Sequence, residues 1–136
     1  MKKRLAITIF IILIVLLSVF YVTRTQKLKN FVSYDYMDSV RIKNGTTGVE
    51  TVITDTDVLA KIKRYLKKLQ VKRTISLPSS EYSYCIDLYN VDMIQTRLVF
   101  TGKHKVTIDG SAYGLTNDNE ESVESFLAEI EKNYIE

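Results

Sequence analysis

With one cysteine, one histidine, one proline and no tryptophan in 136 residues, this chain is short of the side chains that most often carry chemistry. Cys85 has no partner for an internal disulfide, which suits the outside of a bacterium sparing of cysteine better than a small disulfide-stapled secreted domain. As a nucleophile it would need a lowered thiol pKa and a histidine at a recognisable spacing; a lone thiol reads as a buried one. His104 sits between Lys103 and Lys105. One histidine and one cysteine do not make a zinc site, which normally takes three or more protein ligands. As a general base His104 would need an orienting carboxylate such as Asp87 or Asp109, and without one it reads as an edge residue of a sheet. Asp55 with Asp57, and the run Asn117, Asp118, Asn119, Glu120, Glu121, lack the spacing of an EF-hand loop. Both open helices, where capping explains them. The expectation is no catalytic residue, no metal and no cofactor.

Acidic residues are missing from the first 29 positions, which hold six of the 19 basic ones. Residues 30–136 therefore carry 13 basic against 16 acidic side chains, a net charge of −3 beside the +3 of the whole chain. The basic balance belongs to the N-terminus, so nucleic-acid binding loses its main electrostatic argument.

What fills that N-terminus is apolar. From Leu5 to Val22 run 18 residues without a charge; at 1.5 Å per residue they span roughly 27 Å, close to the ~30 Å core of a bilayer. Tyr21 near the end of the run and Arg24 just beyond it can reach into the headgroups. A cleaved signal peptide would have a shorter apolar region ending in small residues, whereas here the exit reads SVFYVTRTQK. No cysteine follows for lipid attachment. The reading is a retained anchor over residues 5–22, after a cytoplasmic tail of residues 1–4. Orientation rests on a near tie, Lys2, Lys3 and Arg4 against Arg24, Lys27 and Lys29. The terminal amine and the tolerance for translocating long downstream domains favour an outside domain.

Residues 23–37 read as a short tether and residues 38–136 as one α+β domain. SVRIKNGTTGVETVITD is a hairpin, with Gly45 and Gly48 expected to supply positive φ. TDTDVLAKIKRYLKKLQ places Val58, Leu59, Ile62, Tyr65, Leu66 and Leu69 on one helical face, with Thr54 and Asp57 as a capping box and Ile53 stapled onto Val58. After Pro78, Tyr82, Tyr84, Ile86 and Leu88 alternate as one face of a strand. Ile94, Thr96, Leu98 and Phe100 alternate in the next. Asp109-Gly110 sets a two-residue hairpin that puts Ile108 opposite Ser111, Val106 opposite Tyr113 and His104 opposite Leu115. A last helix, capped by Asn117 or Asp118, turns Val123, Phe126, Leu127 and Ile130 inward. The order is hairpin, helix, four-strand antiparallel meander, helix, with both helices on one face of the sheet.

The stretches RIKNGTTGVETVITD and FTGKHKVTIDGSAYGLTNDNE resemble those of small, N-terminally anchored proteins of Gram-positive bacteria that form a domain family of unknown function. The likeness covers most of residues 38–131. It implies a bacterial surface protein and brings no catalytic, cofactor or binding residue with it.

Two features remain as candidate contacts. Lys61, Lys63, Arg64, Lys67, Lys68, Lys72 and Arg73 follow one another with no acid between, while Asp118 to Glu136 hold seven acids and one lysine. The basic run suits either an attraction between neighbouring helices or an anionic surface of lipid or envelope polymer. Tyr82 and Tyr84 suit an aromatic platform or a core without tryptophan. The expected function is a single-pass, non-enzymatic membrane protein with an extracytoplasmic binding domain, its partner a membrane protein, an anionic lipid or an envelope polymer. A membrane-tethered cytoplasmic regulator and an envelope hydrolase using His104 are the alternatives.

Overall fold

In a computed structural model, which describes residues 1–32, 34, 36–74, 81–116 and 122–135, helix α1 (Lys2–Thr23) takes up the apolar run. None of its residues is buried, and it is long and apolar enough to cross a membrane. Arg24 is extended and ends it. The rest of the chain is α+β: strands β1 (Gln26–Lys27), β2 (Ser39–Asn44), β3 (Glu50–Ile53), β4 (Gln70–Arg73), β5 (Tyr84–Asn90), β6 (Met93–Thr101), β7 (Lys105–Ile108) and β8 (Ser111–Leu115), with helices α2 (Thr56–Lys68) and α3 (Val123–Ile135). The eight strands form one antiparallel sheet in the order β1-β4-β8-β7-β6-β5-β2-β3.

The meander β5 to β8 runs as expected, and the Asp109-Gly110 hairpin keeps its register, Ile108 with Ser111 and Val106 with Tyr113. Both turn residues have positive φ. The amide of Leu115 donates to the carbonyl of His104 at 2.8 Å, although His104 itself lies in the turn before β7. The hairpin β2–β3 also forms, but its glycines act differently from one another. Gly48 has φ +72°, whereas at Gly45 a Cβ would overlap the Tyr82 carbonyl, so that glycine is there for close approach. The side chain of Asn44 fixes the same turn by accepting from the amides of Thr46 and Thr47.

Connecting the two ends of the sheet falls to α2. Six strand steps of about 4.8 Å separate β3 from β4, roughly 29 Å, and 13 residues of helix cover about 20 Å of it. Its buried face is the expected one, Leu59, Ile62 and Leu66, with Leu69 buried just beyond. The cap differs: Asp55, and not Thr54, accepts from the amides of Asp57 and Val58, because the helix starts one residue later than the capping box requires. In α3 the buried residues are Val123, Phe126, Leu127 and Ile130. The Ser122 hydroxyl accepts from the Ser125 amide at its start. Pro78 and the expected caps Asn117 and Asp118 lie outside the described residues. Rings of Tyr65 and Phe126 stack at 3.9 Å, joining α2 to α3.

Three further differences matter for position. The segment expected as a tether is built into the domain: β1 pairs with β4, the Leu28 amide donates to the Leu69 carbonyl at 2.8 Å, and Leu28, Val32, Tyr34 and Met37 are core residues. Only Arg24 and Thr25 separate α1 from β1. Ile94 is off the core face, because Leu88 pairs with Thr96 while Tyr89 pairs with Ile94; Gln95 is an extra residue, and the bulge turns Ile94 over. Tyr82 lies before β5, ahead of a bend at Ser83 and out of the alternation.

Candidate functional site

Core and open face alternate along every long strand. Val40 and Ile42 of β2, Ile86 and Leu88 of β5, and Leu98 and Phe100 of β6 are buried with the helices in a single cluster. Their neighbours Arg41, Lys43, Cys85, Asp87, Arg97 and Val99 point the other way. There they line a groove of about 310 Å³ together with Tyr82 and Glu50. Registers put Arg41 opposite Asp87 and Asp87 opposite Arg97, so β2, β5 and β6 set arginine, aspartate and arginine side by side.

Asp87 is the unusual member, a carboxylate whose side chain is only 8% exposed on a face turned away from the core. Arg97 compensates it. Its Nε donates to Oδ1 at 2.6 Å and its Nη2 to Oδ2 at 2.9 Å, the two-point geometry that matches a guanidinium to a carboxylate. This hydrogen bonding raises the arginine's pKa further. At the other end of Arg97, its own amide donates to Asp109 Oδ1, and Asp109's amide returns to the Arg97 carbonyl. Arg41 lies with its guanidinium 5.2 Å over the Tyr89 ring. Lys43 and Glu50 face each other loosely at 3.7 Å.

Cys85 lies beside Asp87, its sulfur 4.0 Å from Oδ1. Burial first, and then the charge of Asp87, push its thiol pKa up, the wrong direction for a nucleophile at neutral pH. His104 is exposed in the β6–β7 turn, and Asp109 follows the far end of β7. Asp87 is taken up by Arg97, so neither expected carboxylate is placed to orient the histidine. Among the described residues, no three His, Cys, Asp or Glu side chains gather as metal ligands.

The expected tyrosine pair is split between the faces. Tyr82 lines the groove, whereas Tyr84 points into the core side, where its hydroxyl donates to Glu131 at 3.2 Å and accepts from Asn44 at 3.3 Å. Burial, followed by the Glu131 charge, pushes its pKa up to about 12. The basic run is dispersed. Lys61 pairs with Glu129 of α3 at 3.0 Å, Lys67 lies 5.9 Å from the Tyr34 ring centre, and Lys72 and Arg73 sit on β4 beside β1. Lys63 is half-buried on α2 and Arg64 and Lys68 are exposed.

The Arg41, Asp87 and Arg97 row escapes sequence reading because β2 and β5 pair across some 45 residues, with α2 and β4 between them. The available signal was three charges at the polar positions of three alternating strands.

No family model, curated protein or solved structure matches this chain. The resemblance to anchored Gram-positive proteins therefore has no support from those comparisons, and what stands is an α+β domain behind an N-terminal helix that fits a membrane anchor.

Proposed function

We propose that this chain is a single-pass membrane protein of the cell envelope, with residues 1–4 in the cytoplasm, α1 in the bilayer and the sheet domain outside, where it binds a partner without catalysing a reaction. The observation that carries this reading is α1 itself: 22 residues, long and apolar enough to span a bilayer, none of them buried against the domain. Exposing such a helix to water is costly, and lipid removes the cost. Arg24 lies 4.3 Å over the Tyr21 ring at the helix end, an aromatic and cation placed for headgroups. With two residues between α1 and β1, the domain rides against the bilayer. Lys27, Lys29, Lys72 and Arg73 then face anionic lipid or polymer at that edge.

Bacterial surface proteins of the anchored, Gram-positive kind are the class this reading favours. The near-equal basic charge on the two sides of α1 supports a second reading, a cytoplasmic regulator held by the same helix in the opposite direction. Protease added outside intact spheroplasts separates them. Digestion of the domain with survival of a cytoplasmic marker supports the first; a domain protected until the cells are lysed supports the second.

A further inference from the structure

The open face of the sheet holds more order than a solvated surface needs. Asp87 is withdrawn from water and spends both oxygens on Arg97. A carboxylate so placed costs stability unless it is compensated, and the compensation leaves the arginine fixed in direction. Two of the five N–H donors of Arg97 are used in that fork, and its side chain is 53% exposed. Donors that remain are therefore held in place and open to solvent, with the conformational cost of ordering a long side chain already met.

Arg41 stands on the other side of Asp87 in the same row. Among the described residues no carboxylate lies within ion-pair distance of it, and its guanidinium carbon lies 5.2 Å over the Tyr89 ring. Lys43 is one row along, opposite Cys85. The groove thus has three cations, Arg41, Lys43 and Arg97, against two carboxylates, Asp87 and Glu50. Arg97 balances the buried Asp87 and Lys43 stands 3.7 Å from Glu50, so the lining is net +1, and the charge left without a carboxylate is that of Arg41. Val99 and Cys85 supply an apolar floor.

We propose that this groove binds a small ligand through one anionic group, a carboxylate or a phosphate, seated between the guanidinium groups of Arg41 and Arg97. Both groups present the paired oxygens that a guanidinium fork recognises. A volume of about 310 Å³ takes a compact molecule or the end of a chain. The proposal deepens the binding role above by naming the chemistry of the ligand. It holds on either side of the membrane, so the protease experiment can fail without touching it.

The test uses the full chain in nanodiscs of zwitterionic lipid, titrated separately with acetate, methyl phosphate and chloride at matched ionic strength. Arginine Nε–H and valine methyl resonances are followed by NMR. Acetate or methyl phosphate shifts Arg41, Arg97 and Val99 saturably, chloride does not, and the tighter of the two names the anionic group. Arg41→Gln weakens that binding about tenfold, the loss expected of one charge-assisted contact, and leaves the thermal unfolding temperature in place. Arg97→Gln is the poorer variant, because it strands Asp87. Shifts that rise linearly and match chloride for both anions overturn the proposal, as does wild-type affinity in a folded Arg41→Gln protein.

Discussion

Arg97 grips Asp87 at two points, 2.6 and 2.9 Å, on the side of the sheet away from the helices. Removing the arginine alone leaves a buried charge, whereas removing both partners leaves none. Arg97→Met is expected to lower the unfolding free energy by about 2 kcal/mol, the usual loss for a broken buried pair discounted because the arginine is half exposed. Asp87→Val with Arg97→Met should recover much of that. A double-mutant cycle from chemical denaturation measures it.

Leu28 is fully buried, inside the segment 23–37 expected as a tether and ten residues before the expected start of the domain at Asp38. Leu28→Ala should cost about 3 kcal/mol of domain stability, within the usual range for a buried leucine, while Leu13→Ala in α1 should leave the domain's unfolding unchanged. Equal unfolding curves for the two variants would remove β1 and the Leu28 turn from the fold.

Val91 and Asp92 form the β5–β6 turn with φ of 49° and 62°, a conformation that a β-branched residue resists and asparagine tolerates. Val91 is 75% exposed, so little packing is at stake. Val91→Asn is expected to stabilise by about 1 kcal/mol, seen as a higher denaturation midpoint with an unchanged slope.

Tyr84 brings an alkaline dependence. Its folded pKa stands at about 12 against 10.0 for the unfolded group; the unfolded chain therefore releases the proton first, and the stability present below pH 10 is lost as pH rises toward 12. The unfolding temperature should fall across that interval, and fall less in Tyr84→Phe, where Asn44 still donates to Glu131. Parallel pH profiles for the two proteins would contradict the assignment.

Local signals made a large part of this architecture legible. Asp109-Gly110 can do little but reverse a hairpin, and periodicity names the buried residues of α2 and α3, though not Tyr134, which also packs against the core. The failures share a cause in pairing between distant segments. Strands β1 and β4 are two and four residues long, too short to show alternation, and they gain their identity from each other and from β8. The Gln95 bulge turns Ile94 over without a glycine to announce it, and the Val91-Asp92 turn has no glycine either. Asp87 read as an ordinary polar position of a strand; its place between two arginines depends on β2 arriving at β5. The tyrosines misled because a bend at Ser83 puts Tyr82 and Tyr84 on different sides.

A membrane-anchored domain requires that α1 stay on the chain and in lipid. Intact-mass spectrometry of the protein recovered from carbonate-washed membranes decides this. With α1 retained, the washed membranes yield a chain that still carries residues 1–23. A chain that begins beyond Thr23, recovered in the soluble fraction, would contradict it.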